Sequence, residues 1–384
     1  MQEETEWQGK ETSRPAWAEI KLENFAHNIR SLKKLTTAGT KFFAVLKADG
    51  YGHGAVPLAK VAVQEAVDGF VVAILDEALA LRKASVKLPV LILGYTTPDK
   101  VSVIIEEELT QAIFTRKAAE ELSTAAVRIG KKVKVHLKVD TGMGRVGFPA
   151  IGSLEDLKAV AKLPGLEVEG LFSHFATADE EDKSYAYHQL ESFFNIVRQL
   201  EKEGLCFPMH HMANSAALLE IPQAHFNAVR AGLAIYGHYP SVDSENKVDL
   251  LPLMTLKARI VQIKKVPAQS PISYGCTYRC PSATRLATVP LGYADGVPRI
   301  LSGKIKAYGK ESIISQVGRI CMDQMVFDIA DAPLEEGDEI VLFGHQQGKK
   351  SVPELTMERW AELAGTIAYE IMTGISLRVP RIYL

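Results

Sequence analysis

From about Lys41 to Arg230 the chain alternates short, nearly unbroken apolar runs with longer stretches whose apolar residues recur every three or four positions. The short runs read as strands buried on both faces, and the wider spacing reads as amphipathic helix. The predicted strands are Lys41–Leu46, Gly69–Ala73, Pro89–Leu93, Thr110–Phe114, Lys132–Val139, Glu167–Phe172, Pro208–Met212 and Phe226–Val229. Leu190, Phe193, Phe194, Val197 and Leu200 illustrate the helical spacing between them. Eight strands alternating with helices predict an α/β fold with a closed parallel (β/α)8 barrel, placed over residues 16–245. A doubly wound open sheet competes, but no Gly-x-Gly-x-x-Gly follows a strand.

A polar stretch at Pro240–Val248 reads as a linker, and the pattern beyond it changes. Thr255–Val266, Arg285–Leu291, Lys304–Ala307, Ile313–Val317, Met325–Ile329 and Glu339–Leu342 read as strands. One helix is expected from about Pro353 to Leu363, with Ser351 as its N-cap and Pro353 in its first turn. Residues 246–384 are therefore expected to form a mostly β C-terminal domain. An early strand, Trp17–Leu22, could join either sheet, and residues 1–15 read as a disordered tail. No internal repeat or low-complexity segment stands out.

The 384 residues suit about two domains. A net charge of −2, with basic residues dispersed, argues against a nucleic-acid footprint. Cys206, Cys276, Cys280 and Cys321 show no zinc-type pairing and suit a reducing compartment. No apolar stretch has the character of a signal peptide or a membrane span, so the expected location is cytoplasmic, with no metal, membrane or nucleic-acid partner.

The most informative stretch is Ala44-Val45-Leu46-Lys47-Ala48-Asp49-Gly50-Tyr51-Gly52-His53-Gly54. A lysine at the end of a buried strand points its amine into the cavity that the next loop shapes. Partly desolvated, such an amine loses its proton below the ordinary value of about 10.4 and can attack a carbonyl. A lone lysine there would read as a surface residue; the glycines and Tyr51 weigh against that. Arg145 follows the fifth strand, His174 ends the sixth, Asn214 and Ser215 follow the seventh, and Arg230 and Gly232 follow the eighth. Barrel enzymes build their sites on this carboxyl-terminal face and often hold phosphate after strands seven and eight, where Ser215 and the amides near Gly232 stand. Taken singly, His174 reads as a satisfied core histidine, Arg145 as a solvated loop residue and Cys321-Met322-Asp323 as a packed strand start. His210-His211 resembles a metal pair, but adjacent strand residues point to opposite faces.

Together these blocks resemble the bacterial alanine racemases, a pyridoxal phosphate-dependent family. The lysine stretch is similar to the family's cofactor signature. In order follow His136-Leu137-Lys138-Val139-Asp140-Thr141-Gly142-Met143-Gly144-Arg145, Asn214-Ser215-Ala216, and Arg230-Ala231-Gly232-Leu233-Ala234-Ile235-Tyr236-Gly237. Ser273-Tyr274-Gly275-Cys276-Thr277-Tyr278, Gly292-Tyr293-Ala294-Asp295-Gly296 and Gly318-Arg319-Ile320-Cys321-Met322-Asp323-Gln324 complete the set, so the resemblance runs from about Trp17 to the C-terminus.

The resemblance implies roles. Lys47 would hold pyridoxal 5'-phosphate as an aldimine and act as base on one face of L- or D-alanine, with Tyr274 of a partner subunit as the base opposite. Arg230 would face the pyridine nitrogen. Tyr51, Ser215, Gly232, Leu233 and Tyr369 would lie around the phosphate, and Asn214 would also belong to the cofactor site. Arg145 would bond the phenolic oxygen and help hold substrate, while His174 would support the ring or orient Arg230. The Met322 backbone would meet the substrate carboxylate from the second chain of a homodimer. Tyr293, Cys321 and Asp323 would support it, and Lys138 stands where some members carry a carbamylated lysine. Asp49, Gly50 and Cys276 depart from the commonest family residues, and none is a proposed acid, base or anchor. A related decarboxylase would place an acid at the ring nitrogen, a binding module would lack the β domain, and a broad-specificity racemase often carries a signal sequence.

Overall fold

The computed structural model describes residues 14–241, 244–245, 247–344 and 352–384. Ser351 and all of the expected tail except residues 14 and 15 lie outside the described residues. The chain divides into two compact units, one of Phe25–Gly50 and Ala55–Leu251, the other of residues 14–24, Tyr51–Gly54 and Pro252–Leu384.

The first unit is the closed parallel barrel that the alternation predicts. Its strands are Lys41–Val45, Gly69–Val72, Val90–Ile92, Thr110–Ile113, Val133–Asp140, Leu166–Phe172, Met209–His211 and Ala228–Ala231. Each pairs in parallel with the next, and the last pairs with the first to close the ring. Closure buries both faces, which is why Phe42, Phe43, Ala44 and Val45 are all apolar and buried. Among the outer helices, Ser184–Lys202 buries Ala186, Leu190, Phe193, Val197 and Leu200 along one stripe.

The eighth strand runs further than its apolar pattern suggests. It continues through Ala231, so Arg230 stands on the strand, in register with Phe43 across the closing seam, rather than after it. A guanidinium breaks the apolar run and mimics a loop in sequence; its burial becomes tolerable only through partners supplied by other strands. Close by, the Tyr236 hydroxyl donates to Val45 O at 2.7 Å, tying the end of the first strand to the segment after the eighth.

The second unit is built on a nine-stranded mixed sheet. Ala16–Ile20 belongs to it, antiparallel to Met254–Arg259 and parallel to Arg381–Tyr383. The expected single strand Thr255–Val266 is two, Met254–Arg259 and Gln262–Val266, because the chain breaks at residues 260–261 to pair with different neighbours. The expected helix from Pro353 to Leu363 is also divided. Pro353–Leu355 forms a 3-10 turn, and the α-helix is Met357–Ala364, begun by Thr356, whose hydroxyl accepts from Arg359 N at 3.1 Å. Gly365, at φ 71°, ends it, and a further helix, Ala368–Gly374, has too few residues for its periodicity to show in sequence.

Tyr236→Phe should leave the buried Val45 carbonyl short of its donor and lower stability by about 1–3 kcal/mol, read as a shifted urea midpoint at unchanged slope.

Candidate active site

Lys47 lies two residues past the first barrel strand, at the start of the turn Lys47–Tyr51. The turn closes like a helix, with Gly50 N donating to Leu46 O at 2.8 Å, but it winds left-handed. Ala48, Asp49, Gly50 and Tyr51 have φ of 53°, 51°, 60° and 50°. Each non-glycine residue there costs roughly 1–2 kcal/mol, so the turn persists only because others hold it. Asp49 Oδ1 accepts from Ala55 N at 2.8 Å, a bond an asparagine would make equally well. A Cβ on Gly50 would come within 3.1 Å of Leu58, which favours glycine here. Burial lowers the Lys47 pKa; Arg145 and Arg230 add to the effect and Glu77 opposes it.

Arg230 is the hub of the barrel interior, 5% exposed. Its Nη1 donates to His211 Nδ1 at 2.6 Å, and its Nη2 donates to Ser173 O, His174 Nδ1 and Met212 O at 2.9, 3.1 and 3.1 Å. Burial pushes the guanidinium down to about 9, so it stays protonated at neutral pH. Its acceptors must then be unprotonated at Nδ1, which places the His211 proton on Nε2. That atom lies 2.8 Å from His136 Nδ1 and donates to it. Burial, then the charge of Arg230, lowers all three histidines, His136 to about 3. His211 stacks on Phe172 at 4.8 Å, so it is spoken for by this chain of bonds rather than paired with His210.

Lys138 enters the same interior from the fifth strand, 4% exposed. Its Nζ has no hydrogen-bond partner among the described residues and lies 5.6 Å from the Phe172 ring centroid. Burial, with Arg230 behind it, pushes this amine down to about 8. Arg145 is exposed on the following loop. Asp140 shapes that loop by accepting from Gly142 N at 2.9 Å and Gly144 N at 3.1 Å. Burial pushes its carboxyl up, but these amides hold it below the usual range. The loop after His174 is pinned by Gln189, which accepts from Ala176 N at 2.9 Å and donates to His174 O at 3.2 Å. A polar residue within the apolar stripe of the helix was the sequence signal for Gln189. His136 stood in a quoted block without a role.

Asn214 caps the helix Ser215–Glu220, its side chain accepting from Ala217 N at 3.0 Å. Ser215 Oγ accepts from Gly232 N at 2.9 Å and Ala234 N at 3.2 Å. Both amides therefore fix the hydroxyl oxygen, and its proton finds no acceptor among the described residues. Leu233 begins the adjoining 3-10 turn Leu233–Tyr236.

The second unit gathers the remaining candidates in two groups. The Tyr51 and Tyr369 rings lie 5.7 Å apart, and burial, then Tyr369, raises the Tyr51 pKa. Tyr274, 69% exposed, and Met322, 52% exposed, stand on neighbouring turns, since Ser273 Oγ lies 3.4 Å from Cys321 Sγ. Tyr293 N and Ala294 N donate to Cys321 O and Met322 O, each at 3.0 Å. Asp323 accepts from Arg378 at 2.7 Å, and the fully buried Asp295 pairs with Arg14 at 2.8 Å.

A closed barrel that carries a desolvated lysine and a network of cations on its strand ends has the build of a barrel enzyme. The family model for the N-terminal domain of alanine racemase matches residues 20–240, and that for its C-terminal domain matches residues 253–383. An alanine racemase of Desulforamulus reducens is 45% identical over 373 residues, 96% of this chain and 99% of that protein. One from Carboxydothermus hydrogenoformans is 45% identical over 375 residues, 97% and 100% of the two chains. The solved alanine racemase of Clostridium difficile superposes with a TM-score of 0.91 at 40% identity, covering 97% of this chain and 96% of that one. The structure from Bacillus anthracis with bound L-Ala-P gives 0.90 at 35% identity, covering 98% and 96%. The chain belongs to the alanine racemase family.

The buried neutral histidines make stability depend on pH. Unfolded, His136 takes a proton below about 6.5; folded, it resists until about 3. The unfolded state thus binds more protons across that window, and stability should fall as pH drops from about 6.5 toward 3. His136→Gln should flatten that slope, as measured by urea unfolding at pH 7 and pH 5.

Proposed function

We propose that this protein interconverts L- and D-alanine with pyridoxal phosphate held by Lys47, supplying D-alanine for cell-wall peptidoglycan. The observation that carries the reading is the Lys47 amine, desolvated on a strained turn and next to the charges of two arginines, in a chain of this family. The barrel residues fit the cofactor's chemistry. Lys47 offers the amine, Ser215 an unspent hydroxyl proton, and Leu233 a backbone amide beside it. Arg230 offers its Nε proton, which no described residue accepts. For Gly232, Tyr51 and Tyr369 we propose the place around the phosphate that the resemblance implies, and for Asn214 a place in the cofactor site.

When bound, pyridoxal phosphate supplies an aldehyde for the lysine and an electron-accepting ring that acidifies the α-carbon of the amino acid. This chain's residues do the rest. Racemisation takes a proton from one face and returns one to the other, so it needs two bases. Lys47, its pKa lowered, serves one face at neutral pH. Arg230 would donate toward the ring nitrogen without surrendering its proton, which would leave that nitrogen uncharged and disfavour transamination. His174, neutral and with its proton on Nε2, holds Arg230 in place. Arg145 provides positive charge for the phenolic oxygen and the substrate carboxylate. The unpartnered Lys138 amine is suited to carbamylation by carbon dioxide, which would give Arg145 an anionic partner.

Tyr274 is the proposed second base and the Met322 backbone a carboxylate contact, both from a partner subunit, with Tyr293, Cys321 and Asp323 holding that turn. Their exposure in the single chain supports this assignment: groups built for chemistry stand uncovered until a second copy meets them. A two-fold homodimer then has two equivalent shared sites. The cytoplasm is the proposed compartment, supported by four cysteines that are all free thiols.

The purified protein should abolish the optical rotation of L-alanine and carry a borohydride-reducible chromophore that maps to Lys47. Lys47→Ala should remove that adduct and cut turnover at least about 100-fold; an adduct retained at the wild-type level refutes the assignment. Homodimers of Lys47→Ala and of Tyr274→Phe should each be nearly inactive, and refolding them together should restore activity in mixed dimers, which regain one intact site. No recovery, with mixed dimers demonstrated, would place Lys47 and Tyr274 of each site in the same chain.

A further inference from the structure

We infer that Glu77 is the positioning residue for Lys47, because its carboxylate clamps the left-handed turn to the end of the second barrel strand. Glu77 Oε1 accepts from Ala48 N at 2.6 Å, while Oε2 accepts from Ala73 N at 2.7 Å and Ile74 N at 3.3 Å. Ala48 directly follows Lys47, and Ala73 directly follows the strand Gly69–Val72.

The ordinary account of such a residue is helix capping. Glu77 is the third residue of the helix Leu75–Lys83, and a glutamate there commonly reaches back to the N-cap amide, here Ile74. Capping explains only the longest of the three bonds. The two short ones leave the helix altogether, and one reaches a residue 29 positions earlier. Ala48 is where the chain first turns left-handed, so its N–H is the donor that must be held if the strained turn is to keep its shape. An acceptor with two oxygens serves both loops at once, which no neutral side chain of this length can do.

The same carboxylate acts on the amine through charge. It raises the Lys47 pKa against the lowering by burial and by the two arginines. Glu77 thus sets both where the amine stands and the pH at which it becomes a base. This rests on the reading of Lys47 as the cofactor lysine and a base.

Glu77→Gln keeps the shape but offers one acceptor oxygen and no charge. In the holoenzyme, amide hydrogen exchange of the segment covering residues 47–51 should speed up about 10-fold, with the denaturation midpoint nearly unchanged. The acid limb of the pH profile of kcat should move down by about one unit, and only in the direction of racemisation where Lys47 takes the α-proton. An equilibrium constant of one between enantiomers keeps kcat/KM equal in both directions, so kcat is the quantity read. Loss of the negative charge favours the neutral amine, hence the downward sign. Glu77→Asp, charged but too short to span both loops, should speed exchange while leaving the acid limb in place; it also serves if the glutamine variant folds poorly. Borohydride mapping on the same samples tests the Lys47 reading independently of Glu77. Unchanged exchange, or kcat profiles that move alike in both directions or in neither, overturns the role of Glu77.

Discussion

A guanidinium sits on the seam where the barrel closes, and among the described residues no carboxylate pairs with it. Burying an unpaired cation is costly, so Arg230 is held at its two terminal nitrogens by four acceptors, two backbone carbonyls and two imidazole nitrogens. This constraint propagates. His211 and His174 must be neutral to accept, His211 must carry its proton on Nε2, and His136 must accept it. Phe172 packs beneath the charge, its ring centroid 5.5 Å from the guanidinium. A Cβ at residue 170 would come within 2.9 Å of the His136 ring, so glycine there leaves the ring its space. A carboxylate beside Arg230 would neutralise the charge more cheaply, but it would also remove the positive field that lowers Lys47 and Lys138.

That field couples the groups with chemistry to do. Lys47 and Lys138 approach the same cations from different strands, and burial and positive neighbours lower both. Their surroundings then separate them. Lys47 sits on a turn whose backbone is strained and clamped by Glu77 and Asp49, which fixes the amine at a strand end. Lys138 sits within a strand, its ammonium over an aromatic ring and without an acceptor among the described residues. Two lysines of one type thus hold different reactivity for reasons of local geometry.

Strain and satisfaction are balanced over short distances. Three non-glycine residues in the left-handed region are offset by bonds from two carboxylates and by the helix-like closure of Gly50 on Leu46. In the second unit, the buried carboxylate of Asp295 accepts from Gly292 N at 2.9 Å and pairs with Arg14, which steadies the turn whose amides hold Cys321 and Met322. In both places acids, two in the first and one in the second, fix a segment that hydrophobic packing could not.

The amino-acid sequence by itself determined the barrel, because apolar spacing reports how each segment is buried about its own axis. It also determined which polar residues stand at strand ends, which was enough to single out Lys47, Arg145, His174 and Ser215. It was less informative where burial and polarity disagree. Arg230 reads as the start of a loop but stands within a strand, and Thr255–Val266 reads as one strand because both of its halves are extended. The short helix Ala368–Gly374 left too little periodicity to find. Tertiary structure alone decided the left-handed turn, the proton positions along Arg230, His211 and His136, and the reach of Glu77 to Ala48. The physical reason is that a hydrogen bond is specified by two atoms, and its partner is chosen only when distant segments fold side by side. Periodicity tells which way a side chain faces; it does not tell what waits there.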